Sequence, residues 1–490
     1  MTDTPRIARL GPESSLRNQV RSAVLWRSGT QIIGQLIAWG STFLVIRILS
    51  PADYGLFAMT QVVLFLLGML SGYGLANALI QKPEVTHRDL RQLFGMLVLL
   101  NVGLALAQLL IAPLAAVYYR QPIIADLLRA QALLYLTTPF SAFAYALLAR
   151  RMEFATQAKV NLLSAVAGAL AAIGGASAGL GVWALVWAPI VLFATRAIGL
   201  TIATRTLVWP SFDFRGAGSM AKFGGLIAAG QLLGFIQFQA DVLIGGRLFT
   251  AEAIGLYTTA IFLTQIFNNK FLPALNEIAF SAYARMQAEP AALAGALLRA
   301  VRVVLMVAMP FFFGLAATAE PVVRLVLGEK WVGAVPLVQL LAVAMPCMTV
   351  QALLQPASDA LGRPGIAFGT SIFGALLMPA AFLIGTRWGV IGMAAAWLVA
   401  YPILLIVAVQ RTLPALGLRA GELVTAAAPS VGAAAVMVGV VAALDGVVPL
   451  PDFARLPVLV AAGGAAYAGV LWVGARGAVR EAVALVRNRG

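Results

Sequence analysis

Apolar runs of about 20 residues alternate with short polar interruptions along almost the whole chain. Runs of that length span the hydrocarbon of a bilayer as helices, because a helix satisfies its own backbone hydrogen bonds where no water can. Read against the interruptions, spans are predicted near 23–46, 55–80, 93–118, 124–148, 159–179, 182–204, 223–246 and 255–280, then near 301–323, 334–358, 365–386, 390–410, 422–443 and 455–475. One polar corner is written twice. RILSPADYGLFAM (47–59) and RLFTAEAIGLYTT (247–259) lie 200 residues apart and pair Arg47 with Arg247, Ser50 with Thr250, and Gly55–Leu56 with Gly255–Leu256. Gln31 and Gly34 recur in the same frame as Gln231 and Gly234, so 23–80 and 223–280 read as two copies of one helical hairpin, with Ala251 replacing Pro51.

Composition sharpens the class. The 490 residues are 61% hydrophobic and 11% charged, with mean hydropathy +0.91, against about half apolar and a quarter charged in a soluble domain. The net charge of +15 follows the polar segments. With the N-terminus placed in the cytoplasm and sides alternating, cytoplasmic segments hold 24 Lys/Arg, the opposite side seven, and the spans three (Arg129, Arg196, Lys270). That split fits an even number of spans with both termini inside. No basic stripe of nucleic-acid-binding type is present, so no nucleic-acid partner is expected. Cys347 is the only cysteine and His87 the only histidine, which excludes an internal disulfide and an ordinary zinc site; no metal and no catalytic residue is assigned. Residues 1–22 are polar and the apolar run after them is too long for a signal-peptide core, so the first helix is expected to be retained.

The repeated corner, with GYGLANALIQK (72–82), GLGVWALV (179–186), EPVVRLVLGEKWVGAVPLVQLLA (320–342) and ALGRPG (360–365), resembles the polysaccharide-transport branch of the multidrug/oligosaccharidyl-lipid/polysaccharide exporter superfamily. The similarity runs from about residue 20 to about residue 410, in order. It implies an all-α polytopic membrane protein of about 14 transmembrane helices, two pseudo-symmetric six-helix lobes plus two C-terminal helices. The expected organisation is a cytoplasmic segment (1–22), an N-lobe (23–215), a C-lobe (216–412), and two further helices with a basic cytoplasmic tail (413–490). Parallel repeats of this kind place the substrate site at the repeat interface, and the resemblance implies a central cavity lined mainly by the duplicated hairpins.

A charge inside a span costs roughly 2.5–3.5 kcal/mol at the bilayer centre and usually faces protein or water, so the polar residues of the spans are the candidates. Arg27, Gln31 and Gln35 recur every four residues, on one stripe of the first helix. Arg196 lies in the sixth span, Gln237 and Asp241 share a face of the seventh, and the eighth contains QIFNNKFLPALNE, with Asn269, Lys270 and Glu277. Pro273 removes a helix hydrogen bond there. A lipid-linked sugar offers a diphosphate and many hydroxyls. Arg and Lys suit the first, and amides suit the second because they both donate and accept. Asp241 and Glu277 are the candidates for a coupling proton or sodium ion. Snorkelling at helix ends and amide bonding between helices are the structural alternatives for the same residues.

The resemblance implies a flippase in the bacterial inner membrane that moves an undecaprenyl-diphosphate-linked oligosaccharide by alternating access for envelope polysaccharide synthesis. It would need no cofactor beyond a coupling H+ or Na+. The surrounding lipid, a polysaccharide polymerase and a co-polymerase are the expected partners, with the monomer as the working unit. An ion-coupled multidrug or metabolite exporter and a membrane polysaccharide polymerase or ligase are the alternatives. The cationic and amide candidates disfavour the exporter, and the short outward loops, none beyond roughly 20 residues, disfavour the enzyme. No phosphate-binding G-x-x-x-x-G-K-[ST] stretch is present, so direct use of ATP is not expected.

Overall fold

A computed structural model describes residues 13–71, 85–206, 208–213, 218–287, 289–447 and 450–477. Helices account for the architecture. They are α1 (Glu13–Ile48), α2 (Pro51–Gly68), α3 (His87–Tyr119), α4 (Ile123–Gln131), α5 (Leu133–Arg150), α6 (Phe154–Ser177), α7 (Val182–Thr204) and α8 (Gly218–Leu248). There follow α9 (Ala251–Arg285), α10 (Pro290–Ala317), α11 (Val335–Ala360), α12 (Pro364–Gly385), α13 (Gly389–Thr412), α14 (Ala420–Asp445) and α15 (Asp452–Gly474). Each predicted span has a helix in its described part, residues 72–80 of the second lying outside the described residues, and the fourth is divided between α4 and α5 at Ala132. Among the described residues, eleven segments are long and apolar enough to cross a membrane, one of which, Gly365–Leu416, contains both α12 and α13. The protein is an all-α polytopic membrane protein.

The helix starts follow local chemistry. At the first copy of the repeated corner, Ser50 Oγ donates to Asp53 Oδ2 (2.6 Å), the Ser50 N–H donates to the same oxygen (3.0 Å), and the Asp53 N–H donates to Ser50 Oγ (3.3 Å). This reciprocal cap starts α2. At the second copy Ala253 stands where Asp53 would be, and only half the device survives: the Ala253 N–H donates to Thr250 Oγ1 (3.3 Å). Arg47 and Arg247 sit in the last turns of α1 and α8, where cations complement the helix dipole.

Two compact units are distinguishable among the described residues: those up to Leu49 with those of Val63–Gln231, and Ser50–Val62 with those from Leu232 onward. In the first unit, Leu93, Phe94 and Leu97 of α3 pack with Ala142, Phe143, Ala146 and Leu147 of α5. The glycine-rich sixth helix does what small residues do in membranes, letting helices approach closely: Gly168 meets Leu192, Gly175 meets Ala184, and Gly199 of α7 receives Val160. The α6–α7 turn needs Gly179 (φ 76) and Gly181 (φ 56), conformations costly for residues with a Cβ. At one end of this unit Arg88 pairs with Asp213 (2.9 Å) and Arg91 Nε donates to the Trp209 carbonyl (3.1 Å), while Arg151 Nη1 donates to the Thr204 carbonyl (3.2 Å). The first turns of α3, the α5–α6 turn and the described residues that follow α7 therefore gather at the same end.

In the second unit the core is aromatic. Trp397 stacks on Tyr401 with centroids 5.2 Å apart, Phe382 lies against Trp397, and Phe267 packs on Phe311 and Phe312. The last two helices join this unit: Gly463 of α15 receives Val441 of α14, and Tyr467 donates to the Met306 carbonyl of α10 (2.9 Å). The two copies of the repeated corner meet here. A Cβ added to Gly55 would overlap the carbonyl of Ala251, and one added to Gly255 would overlap the carbonyl of Pro51. The contact is reciprocal, residue for residue, and it is backbone against backbone. The α10–α11 connection closes over it: Trp331, fully buried, makes an edge-to-face contact with Tyr54 (5.4 Å), and Gly333 sits against Leu256. In the same connection Arg324 pairs with Glu329 (2.8 Å) and Glu320 (3.2 Å). Hydrogen bonding to Glu329, then its charge, raises the guanidinium above its ordinary basicity. Arg455 likewise pairs with Asp445 (2.7 Å). Arg324 and Arg455, both cations predicted for the outer side, are thus matched by carboxylates.

Candidate functional site

The sequence-predicted residues fall into three structural settings. The first is a cavity of about 340 Å³ in the first unit, walled by α1, α5, α6 and α7. Gln31 and Gln35 of α1 and Arg196 of α7 meet there, with Gly34 between the two glutamines leaving that wall open. The guanidinium of Arg196 lies over the Phe193 ring, 5.4 Å from its centroid, a cation–π contact that fixes where the charge points. The side chain of Arg27, one turn before Gln31, lies outside the described residues.

The second setting is buried. Asp241 of α8 is 1% exposed. One carboxylate oxygen accepts the Tyr257 hydroxyl (3.0 Å) and the other accepts the Val242 N–H (2.7 Å). Tyr257 in turn accepts the indole N–H of Trp397 (2.7 Å). A chain of three hydrogen-bonding side chains therefore links α8, α9 and α13 through the interior of the second unit, and Phe382 and Tyr401 enclose its Trp397 end. Such a network is stable only when each member is satisfied. Gln237, one turn earlier, is also buried, its side-chain oxygen close to Gly374 of α12.

The third setting is the exposed side of α9, which carries Asn269, Lys270 and Glu277. Two other amides of the span are bonded to the next helix. Asn268 accepts from Thr349 Oγ1 (2.8 Å), and Asn276 donates to the Ala352 carbonyl (3.2 Å), both on α11. So the polar run in this span divides by contact: Asn268 and Asn276 bind a neighbouring helix, and Asn269, Lys270 and Glu277 are exposed. Helix α9 continues unbroken through Pro273. Arg129 pairs with Asp126 one turn away on α4 (2.8 Å).

Sequence reasoning missed two cavity residues, Gln157 and Asn161 of α6. Gln157 is 5% exposed and its amide nitrogen donates to the Tyr145 carbonyl (3.1 Å). The signal was present in the spacing: Phe154, Gln157, Ala158, Asn161, Leu162 and Ala165 recur at three and four residues, one stripe of a helix. A second, smaller polar cavity of about 110 Å³ lies in the second unit among α8, α11, α12 and α13, lined in part by Gln351, Gln355, Ser358, Thr370 and Ser371. Its helices stand six spans after those of the first cavity. On the corresponding helix, Ala367 and Ser371 line it 210 residues after Gln157 and Asn161.

Residues 44–336 match the family described as polysaccharide biosynthesis protein. The chain belongs to that family. Curated relatives span comparable lengths. The succinoglycan biosynthesis transport protein ExoT of Rhizobium meliloti is 26% identical over 76% of this chain and 76% of its own length. The lipopolysaccharide biosynthesis protein WzxC of Escherichia coli is 25% identical over 78% and 79%. The teichuronic acid biosynthesis protein TuaB of Bacillus subtilis is 26% identical over 67% and 72%. Among solved structures, the lipid II flippase MurJ in an inward closed conformation superposes with a TM-score of 0.76 at 12% identity, covering 93% of this chain and 100% of that one. An inward-facing multidrug resistance transporter of the MATE family reaches 0.61 at 13% identity, over 81% and 98%. This polysaccharide biosynthesis family member therefore has the fold shared by MurJ and the MATE transporters, as the sequence motifs led one to expect.

Proposed function

We propose that this protein is a flippase that carries an undecaprenyl-diphosphate-linked oligosaccharide from the inner to the outer leaflet of the bacterial inner membrane, for O-antigen, capsule or exopolysaccharide assembly. One observation carries the reading: Gln31, Gln35 and Arg196 share a polar cavity among membrane-spanning helices, in a family whose relatives are named for polysaccharide transport and biosynthesis. Amides match sugar hydroxyls, and a planar guanidinium matches phosphate or carboxylate. The cycle proposed is alternating access between two six-helix lobes, with both termini in the cytoplasm and the lipid tail left in the bilayer. Arg27, Lys270, Asn269 and Gln237 are assigned to the same translocation path. Asp241 and Glu277 are assigned the coupling H+ or Na+. For Asp241 the support is a carboxylate enclosed in protein and held between helices, the setting in which a change of charge is felt by all three.

Deletion followed by lipid extraction tests the proposal. Accumulation of a complete lipid-linked repeat on the inner leaflet is the expected result. Normal lipid intermediates together with lost drug resistance would replace it with the exporter reading.

A further inference from the structure

The cavity of the first unit has a more specific chemistry than a generic transport path. Its volume, about 340 Å³, lies in the range of small-ligand pockets, roughly 300–1,000 Å³. Four amides line it (Gln31, Gln35, Gln157, Asn161), and Arg196 is the one charged side chain on its described walls. Phe154 supplies an apolar face at the start of α6. Two of the polar groups are held by the protein itself: Gln157 through its bond to the Tyr145 carbonyl, and Arg196 by the Phe193 ring. Groups fixed in this way bind without first having to be ordered. The combination of four amides, one of them held in place, two aromatic side chains (Tyr145 and Phe154) and one fixed cation in a single recess is complementary to a sugar ring that carries one negative charge.

We propose that this cavity is a subsite for one anionic sugar of the cargo. Arg196 takes the anionic group through its fork of N–H donors, and Gln157 and Asn161 pair with ring hydroxyls and so determine which sugar is accepted. The inference rests on the flippase reading and adds to it the class of group recognised and two residues that read it. The negative charge has two chemical sources, a carboxylate on the ring (a hexuronate) or the phosphate that joins the first sugar to its lipid.

The test uses the full-length protein purified into lipid nanodiscs, with binding measured for sodium glucuronate, glucose, and undecaprenyl diphosphate without sugar. Wild type is expected to bind an anionic probe and to prefer glucuronate over glucose at least tenfold if the carboxylate is the source. R196Q should then lose at least tenfold for glucuronate, with glucose unchanged and R196K intermediate, because lysine supplies charge without the planar fork. Loss of undecaprenyl diphosphate binding instead assigns the charge to the phosphate and keeps the subsite. N161A, on the half-buried wall, should weaken the same probe about fivefold without lowering thermal stability, and Q157A is read alongside it. The subsite is overturned if wild type binds neither anionic probe, or if R196Q and N161A bind both as wild type does. Lipid extraction from the deletion strain separates the two levels: accumulated lipid-linked repeat with unaltered R196Q binding removes the subsite and leaves the flippase, whereas no accumulation removes the flippase itself.

Discussion

Replacing Tyr257 by Phe isolates the buried network of the second unit. The ring and its packing stay, and only the hydroxyl that links Asp241 to Trp397 is removed. Two hydrogen bonds disappear, from Tyr257 to Asp241 (3.0 Å) and from Trp397 to Tyr257 (2.7 Å). Tyr257 is 0% exposed, Asp241 and Trp397 1% each, so no water replaces the lost partner. Side-chain hydrogen bonds between membrane helices are worth about 0.6 kcal/mol on average and up to about 1.7. The two together come to about 1–3 kcal/mol, a factor of roughly 5 to 150 in the folding equilibrium. Because Asp241 keeps the Val242 N–H, the loss should not exceed that range. The assay is equilibrium unfolding of the purified protein in lipid for wild type, Y257F, W397F and the double variant. A coupling energy of at least about 0.5 kcal/mol between the two positions is expected, as for groups in direct contact. Additive effects, or Y257F unfolding together with wild type, would refute the idea that the three side chains act as a unit.

Gly255→Leu should destabilise by about 3 kcal/mol, the upper end for overpacking, because its new side chain meets the Pro51 backbone rather than a movable side chain; Gly103→Ala, with nothing within 4 Å, should be neutral or stabilising by up to about 1 kcal/mol, and equal melting behaviour of the two would disprove the corner contact. Lys270→Ala should abolish complementation of a deletion strain while membrane insertion, checked by fractionation, is retained; wild-type growth would remove Lys270 from the path. In a Cys347→Ser background, cysteine at Ser50 should react with an impermeant thiol reagent in intact cells, and cysteine at Ser211 only after the inner leaflet is made accessible; the reverse pattern would invert the proposed topology.

The linear chain by itself determined the helices, because each span must satisfy its own backbone in hydrocarbon and therefore shows its length as an apolar run. It also marked the repeated corner, since helix caps and close glycine approaches place fixed demands on Ser50, Thr250, Gly55 and Gly255. That these two corners touch each other, carbonyl against glycine, was decided only in three dimensions: a duplicated segment says nothing about whether its copies meet. The same limit applies to the polar residues. Inside a span a glutamine or asparagine has one spacing whether it lines a cavity or bonds a neighbouring helix, so Asn268 and Asn269, adjacent in sequence, could not be told apart until α11 was placed beside one of them. Asp241 was legible as an expensive charge, but Tyr257 and Trp397, its partners in the chain of hydrogen bonds, come from helices 16 and 156 positions away and carry no signal of their own. For Gln157 and Asn161 the spacing that puts them on one stripe of α6 was legible, but not what that stripe faces: a cavity is defined by what four helices leave empty, and no single stretch of residues records that space.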